Sequence, residues 1–344
     1  MRRRFGVFLL VGLYLGGCVA HTTTPVSTDA ATPQPAPPDP AASVFDYQSV
    51  PIPFENAVLD EEETKDYLVR SIHFPSYGDN RQRNDQVTGS YYESKHPGKK
   101  PLVIVLPIFG GHVYPSQNMT LYLKRISAGD VHVFRMLGEQ NLTDWWSLKH
   151  APDEESFMEL WQTTAQAERN TIFDIRRTID WALARPEVDP DRIAVIGFSR
   201  GAIMAAVATA NDRRLAATVL VMGGAHPHQA LAACPMLRGE GVQSKVQKEF
   251  GWSLDEFADK LEPLYRDLDP ANYAGQVTAE RILIVEATKD DCIPAQARED
   301  LWLAMGRPKR ISIPRGHKRA FLSMTPLGTK WLQREIWSFL EETL

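Results

Sequence analysis

Runs dominated by Val, Ile and Leu recur along the chain at 101–107, 131–137, 192–197, 217–224, 281–287 and 310–313. The first does not alternate with polar residues, the pattern of strands covered on both faces, and the others are read the same way. Two earlier stretches, Asp66–Phe74 and Gln86–Glu93, do alternate and predict a β-hairpin with one face exposed. Helical spacing lies between the buried runs. Ile172, Ile175, Ile179 and Ala182 mark one face of a long helix ending near Pro186, and Leu332, Ile336, Phe339 and Leu340 mark another near residue 340. Buried strands alternating with helices predict βαβ units, a mostly parallel sheet and right-handed crossovers. Ligands of such sheets bind beyond the carboxyl ends of the strands, so chemistry is expected on loops leaving strands.

The first 43 residues break this pattern. Arg2-Arg3-Arg4 precedes an apolar run of about a dozen residues, the layout of a secretory signal peptide and too short for a bilayer-spanning helix of about 20 residues. Residues 18–43 that follow are rich in Pro, Ala and Thr and nearly lack large apolar side chains, so they are expected to form a tether and leave 44–344 as the folded domain. The 225–275 interval is too long for a plain crossover and carries a helical pattern at Leu254, Phe257, Leu261 and Leu264, which predicts a small cap insertion.

Composition adds exclusions. Of 344 residues, 43% are hydrophobic and 24% charged, which excludes a collagen-like or wholly disordered chain. The net charge of −5, with no basic stripe, argues against a nucleic-acid partner. Apart from Cys18, only Cys234 and Cys292 are present. A disulfide between them fits an oxidising compartment, but the sequence does not show that their Cα atoms come within about 7 Å, and two buried thiols are expected.

The strongest chemical motif is Gly197-Phe198-Ser199-Arg200-Gly201, placed between a buried strand and a helix rich in small residues. Glycines two before and two after allow the sharp turn that thrusts a serine hydroxyl outward. The helix N-terminus that follows favours negative charge developing there. A serine is weakly nucleophilic without a base, and the base needs orienting. Asp290 follows the strand ending at 287, and His317 follows the last short strand. The order Ser199, Asp290, His317 is that of α/β-hydrolases. Asp291 is the neighbouring alternative acid.

Residues from about 66 to 344 resemble an α/β-hydrolase. The segment Pro101–His112, with Leu106-Pro107-Ile108-Phe109-Gly110 in its turn, is similar to the dienelactone-hydrolase branch. The resemblance implies an oxyanion hole from the backbone N–H groups of Ile108 and Arg200, with Phe109 as the alternative donor. Two features depart from dienelactone hydrolase itself: the nucleophile is Ser rather than Cys, and no Glu stands in that turn. General acyl transfer to water is implied rather than dienelactone chemistry. Leu15-Gly16-Gly17-Cys18 resembles the lipobox of bacterial lipoproteins, which implies cleavage of residues 1–17, acylation of Cys18 and, with Val19 next, an outer-membrane protein facing the periplasm.

Trp145 and Trp146, Phe109 and His226 are candidates for lining the substrate site. His226-Pro227-His228 lacks a third ligand of recognisable spacing, so no metal is expected. The Arg200 side chain is expected to pair within the scaffold, with an acidic substrate group or the oxyanion as the alternative. The expected activity is a cofactor-free serine esterase acting on a small-molecule, lipid or polysaccharide ester. An acyl-aminopeptidase on the same triad, or a non-catalytic envelope binding protein, are the alternatives.

Overall fold

The all-apolar runs become the central strands because their alternate residues point into two different cores. In the computed structural model, which describes residues 44–50, 52, 61–77, 86–108, 115–137, 142–235, 241–322, 324 and 330–344, Leu102, Ile104, Ile193, Val195, Leu220 and Ile284 enter one cluster. Their neighbours Val103, Val105, Ala194, Ile196, Val219 and Val285 enter the other. Both faces are therefore dry, and each buried aliphatic side chain contributes about 1.5–3 kcal/mol.

The described strands form one nine-stranded sheet, in the order β1-β2-β3-β5-β4-β6-β7-β8-β9. The edge is antiparallel: β1 (Glu61–Glu63) pairs with β2 (Tyr67–Pro75), β2 with β3 (Gln86–Ser94), and β3 with β5 (His132–Leu137). The remaining pairs are parallel and run through β4 (Lys100–Val105), β6 (Val188–Phe198), β7 (Leu215–Val221), β8 (Ile282–Ala287) and β9 (Lys309–Ile313). The hairpin and all six runs form strands as expected, but β9, at the sheet edge, buries only Ile313, and the run at 217–224 leaves the sheet after Val221.

Helices cover both faces. On one lie α1 (Ser116–Ser127) and, towards the end of the chain, α9 (His317–Leu322) and α10 (Trp331–Thr343). On the other lie α3 (Glu154–Leu183), preceded by the short α2 (Trp145–His150), and α4 (Arg200–Asn211). α3 is 30 residues long, roughly 45 Å. It starts where Asp153 accepts the Ser156 N–H at 2.8 Å and carries Glu154 and Glu155 in its first turn, both favourable to the helix dipole. It ends at Leu183, ahead of Pro186.

The 225–275 interval folds as α5 (Pro227–Ala233), α6 (Val242–Lys248), α7 (Leu254–Tyr265) and two short turns to Tyr273. α7 opens on a capping box between Ser253 and Glu256. α8 (Ala295–Ala304) follows β8.

Residues 45–50 are strapped onto α3 by charge. The fully covered Asp180 accepts from Tyr47, from Ser49 Oγ at 2.7 Å and from the Val50 N–H at 3.1 Å. Arg176 donates to the Phe45 carbonyl at 2.5 Å and pairs with Asp212 at 3.2 Å; Arg177 donates to the Val50 carbonyl at 2.7 Å. Arg214 closes the network with 2.6 Å to Asp180. Burial opposes ionisation of Asp180, yet the hydrogen bonds from Tyr47, Arg214, Ser49 and Val50 outweigh it and hold the carboxyl below its ordinary range.

Candidate active site

Three crossovers deliver three side chains to one place. β6 ends in Ser199, whose φ of 51° and ψ of −117° lie outside the regions open to an ordinary residue. Glycine flanks make that turn feasible. A Cβ on Gly197 would lie 2.2 Å from the Gly201 carbonyl oxygen, and one on Gly201 would lie 2.4 Å from the Pro107 oxygen. The backbone thus closes tightly on itself and on the turn after β4. α4 begins at Arg200 and points its N-terminal N–H groups at the Ser199 hydroxyl region.

Ser199 Oγ lies 3.1 Å from His317 Nε2, and His317 Nδ1 lies 2.7 Å from Asp290 Oδ2. The ring therefore donates from Nδ1 to the carboxylate and accepts the serine proton at Nε2. His317 is 3% exposed, opens α9 rather than lying in an open loop, and meets Phe321 edge-on at 5.2 Å. Asp290 is held in turn: its Oδ1 accepts the N–H groups of Cys292 and Ile293, each at 2.8 Å. Asp291 is exposed and bonds to neither. Asp290, His317 and Ser199 form an unbroken chain of hydrogen bonds.

A small cavity of about 50 Å³ opens beside Ser199 and His317. Its walls are mainly apolar: Ile203 of α4, Ala230 and Leu231 of α5, and Ile293 after β8. Arg200 and Glu168 add the polar part of the lining. Their ion pair is buried, and it extends from Arg200 Nη1 to Thr143 Oγ1 at 2.8 Å and from the Tyr265 hydroxyl to Glu168 Oε1 at 3.2 Å. Burial lowers the Arg200 pKa from its usual value and pushes Tyr265 up to about 12. The Arg200 side chain thus pairs within the scaffold, while its backbone N–H stays at the head of α4.

Sequence reasoning missed Glu168, although a signal existed: it sits seven residues after Trp161 and four before Ile172, on the buried face of α3.

Cys234 and Cys292 are joined in a disulfide, contrary to the expected pair of thiols. β7 and β8 are parallel neighbours, so the segments leaving their carboxyl ends emerge side by side. That adjacency brings together two cysteines 58 residues apart.

The proposed pocket aromatics lie elsewhere. Trp145 packs against Trp161 at 6.1 Å, and Trp146 is 72% exposed beside His150. His226 is held between two carboxylates, Asp269 at 3.0 Å and Asp300 at 2.9 Å, and pins the start of α5. None of the three lines the cavity. Ile108 directly follows Pro107, the residue whose carbonyl meets Gly201, and packs on the α1 side of the sheet. Phe109 and Cys18 lie outside the described residues. A cluster of His, Cys and acidic groups with ligand-like spacing, Asp290, Cys292 and His317, is already committed to the relay and the disulfide. No described helix is long and apolar enough to cross a membrane.

The architecture agrees with solved structures. The fold is that of the α/β-hydrolases. Acetyl xylan esterase 1 from Thermoanaerobacterium sp. JW/SL YS485 superposes with a TM-score of 0.55 at 15% identity, over 83% of this chain and 86% of its own. The acetyl xylan esterase from Paenibacillus sp. R4 gives 0.55 at 17% identity, over 83% and 87%. An acylaminoacyl peptidase from Pyrococcus horikoshii gives 0.54 at 15%, over 82% of this chain and 42% of that one. Residues 87–240 match the model of the Dienelactone hydrolase family. No curated protein matches the sequence.

Proposed function

We propose that the protein is a serine hydrolase that cleaves short-chain carboxylic esters through an acyl-enzyme on Ser199. The observation that carries this reading is the relay from Asp290 through His317 to Ser199 on a strained elbow. Ser199 Oγ attacks the ester carbonyl while His317 Nε2 takes its proton. The oxyanion is received by the backbone N–H groups of Arg200 and Ile108, each such donor contributing about 3–4 kcal/mol at the transition state. The imidazolium, steadied by Asp290, passes the proton to the departing alcohol. Water, deprotonated by the same ring, then releases the acid. No step calls for a metal or cofactor.

The cavity of about 50 Å³ beside Ser199 suits an acetyl or similarly short acyl group. The two acetyl xylan esterases extend the reading to acetyl groups on polysaccharides, with small-molecule esters as the simplest substrates. Amide cleavage is the second reading, favoured by the likeness to an acylaminoacyl peptidase.

The N-terminal pattern supports a further part of the proposal: cleavage before Cys18, acylation of that residue, and a hydrolase anchored to the outer membrane facing the periplasm.

The deciding experiment treats the protein with a fluorophosphonate probe and with p-nitrophenyl acetate, beside Ser199→Ala and an acyl-amino-acid anilide panel. Labelling and acetate turnover that vanish in the variant support the proposal. Faster anilide than ester cleavage would move the amide reading ahead. A wild type that neither labels nor turns over ester would sink both.

A further inference from the structure

The turn that holds the acid is covalently joined to the cap. Asp290 Oδ1 accepts two N–H groups, and one of these belongs to Cys292. Cys292 is bonded to Cys234, the residue that ends α5. Both cysteines belong to the cavity wall, next to Leu231 on the cap side and Ile293 on the acid side. The cap end of the bond is itself anchored. The buried Gln243 of α6 donates to the carbonyls of Ala232 at 2.6 Å and Cys234 at 3.2 Å.

Without that bond the junction is thin. Among the described residues the apolar contact there is a satellite cluster of Ala230, Ile293 and Ala297, separate from both main cores. His226 ties the other end of α5 to Asp300. The C-terminal end, beside the acid turn, is tied by the disulfide.

We propose that the Cys234–Cys292 disulfide is a positioning and specificity element for the reaction at Ser199. It fixes the N–H donors that hold Asp290 in register with His317, and its sulfurs close the acyl end of the cavity. The inference rests on the esterase reading above. Cleaving the bond frees the cap end of α5 to move away from the acid turn. The catalytic acid then loses its fixed cradle, and the cavity admits longer acyl chains.

The test compares three forms of the full chain: wild type, wild type reduced with dithiothreitol and checked by thiol titration, and Cys234→Ala/Cys292→Ala. Circular dichroism first establishes that each is folded; kcat and KM are then measured on p-nitrophenyl acetate, butyrate and octanoate. In the double variant, kcat on acetate is expected to fall on the order of tenfold, with a smaller change in KM. The butyrate-to-acetate ratio of kcat/KM is expected to rise on the order of tenfold. The reduced wild type should lose kcat in the same way, with a smaller change in the ratio because its sulfurs remain. A purely structural bond would lower the melting temperature and leave kcat and the chain-length ratio as they were; that result in either folded form overturns the proposal. If the double variant does not fold, the reduced wild type decides alone. No ester turnover by the oxidised wild type would instead overturn the esterase reading, and this inference with it.

Discussion

Two pieces are added to the hydrolase sheet, and they are fastened in opposite ways. The strap at 45–50 is held by charge, with Asp180, Arg176, Arg177 and Arg214 bonding its backbone and hydroxyls. The cap from α5 to α7 is held by apolar packing, one histidine between two carboxylates and a disulfide. The strap's network reaches α4 at Asp212, just past its last residue, whereas Ser199 precedes its first, roughly 18 Å away. The cap's fastening enters the acid turn itself. A buried ion network is tolerable where nothing reacts and every charge has a partner; beside the nucleophile, attachments also set the geometry of the reacting groups. Disturbing the strap should therefore change stability alone, and disturbing the acid turn should change activity.

The largest effect expected from breaking this contrast is at the acid. Asp290→Asn should lower kcat about 10⁴-fold while leaving the melting curve nearly in place, because the asparagine no longer holds the imidazole in its working tautomer. A loss below tenfold would show that the ring is oriented by something else. Next comes the strap: Asp180→Ala removes the buried carboxylate that Arg177, Tyr47, Ser49 and Val50 share, leaves Arg214 with Asp212 alone, and should cost about 3–5 kcal/mol in urea unfolding. Its kcat/KM on acetate should stay within about twofold of wild type. A large kinetic loss would erase the distinction between the two regions.

The same aspartate gives a pH signature. Its folded-state carboxyl titrates below the ordinary range, so the unfolded chain binds more protons in that window. The stabilisation is present above the unfolded value of about 3.9 and is lost as pH falls through the folded one. Stability of the wild type should thus decline more steeply than that of Asp180→Asn below about pH 4. Parallel slopes would mean that the carboxyl gains nothing from its donors.

Smaller effects sharpen the picture. Ser253→Ala removes the capping-box acceptor at the start of α7, away from the acid turn, and should cost about 1 kcal/mol with acetate kinetics unchanged. Lys95→Ala breaks an exposed pair with Glu63 and should leave both unfolding and kinetics as they are.

Most of the scaffold was legible in the chain because its central strands are apolar on both faces, a pattern with few other solutions. The relay was legible for a related reason. Ser199, Asp290 and His317 each follow a recognisable strand, and parallel topology places all such loops at one end of the sheet. What escaped was pairing between distant segments. Nothing in the spacing of Cys234 and Cys292 says that the segments after β7 and β8 meet. Asp180 looks like an ordinary surface residue until the strap supplies its partners, and His226, a pocket candidate by its place after β7, instead pairs with Asp269 and Asp300. Trp145 and Trp146 were read towards the cavity because they follow β5, but a loop's place on the functional end does not determine which way its side chains turn. Trp145 found an apolar neighbour in Trp161 instead.

The order in which the relay is encoded has a consequence during synthesis. Ser199, the proposed nucleophile, is made first, Asp290 almost a hundred residues later and His317 later still, each on a separate crossover. A nascent chain that has already built β6 and its elbow carries a serine with nothing to deprotonate it. The hydrogen-bonded chain Asp290–His317–Ser199 closes only after residue 317 has left the ribosome and β9 has joined β8. Under the proposed function the chain is inert for most of its own translation, and a fragment truncated before that point lacks the base.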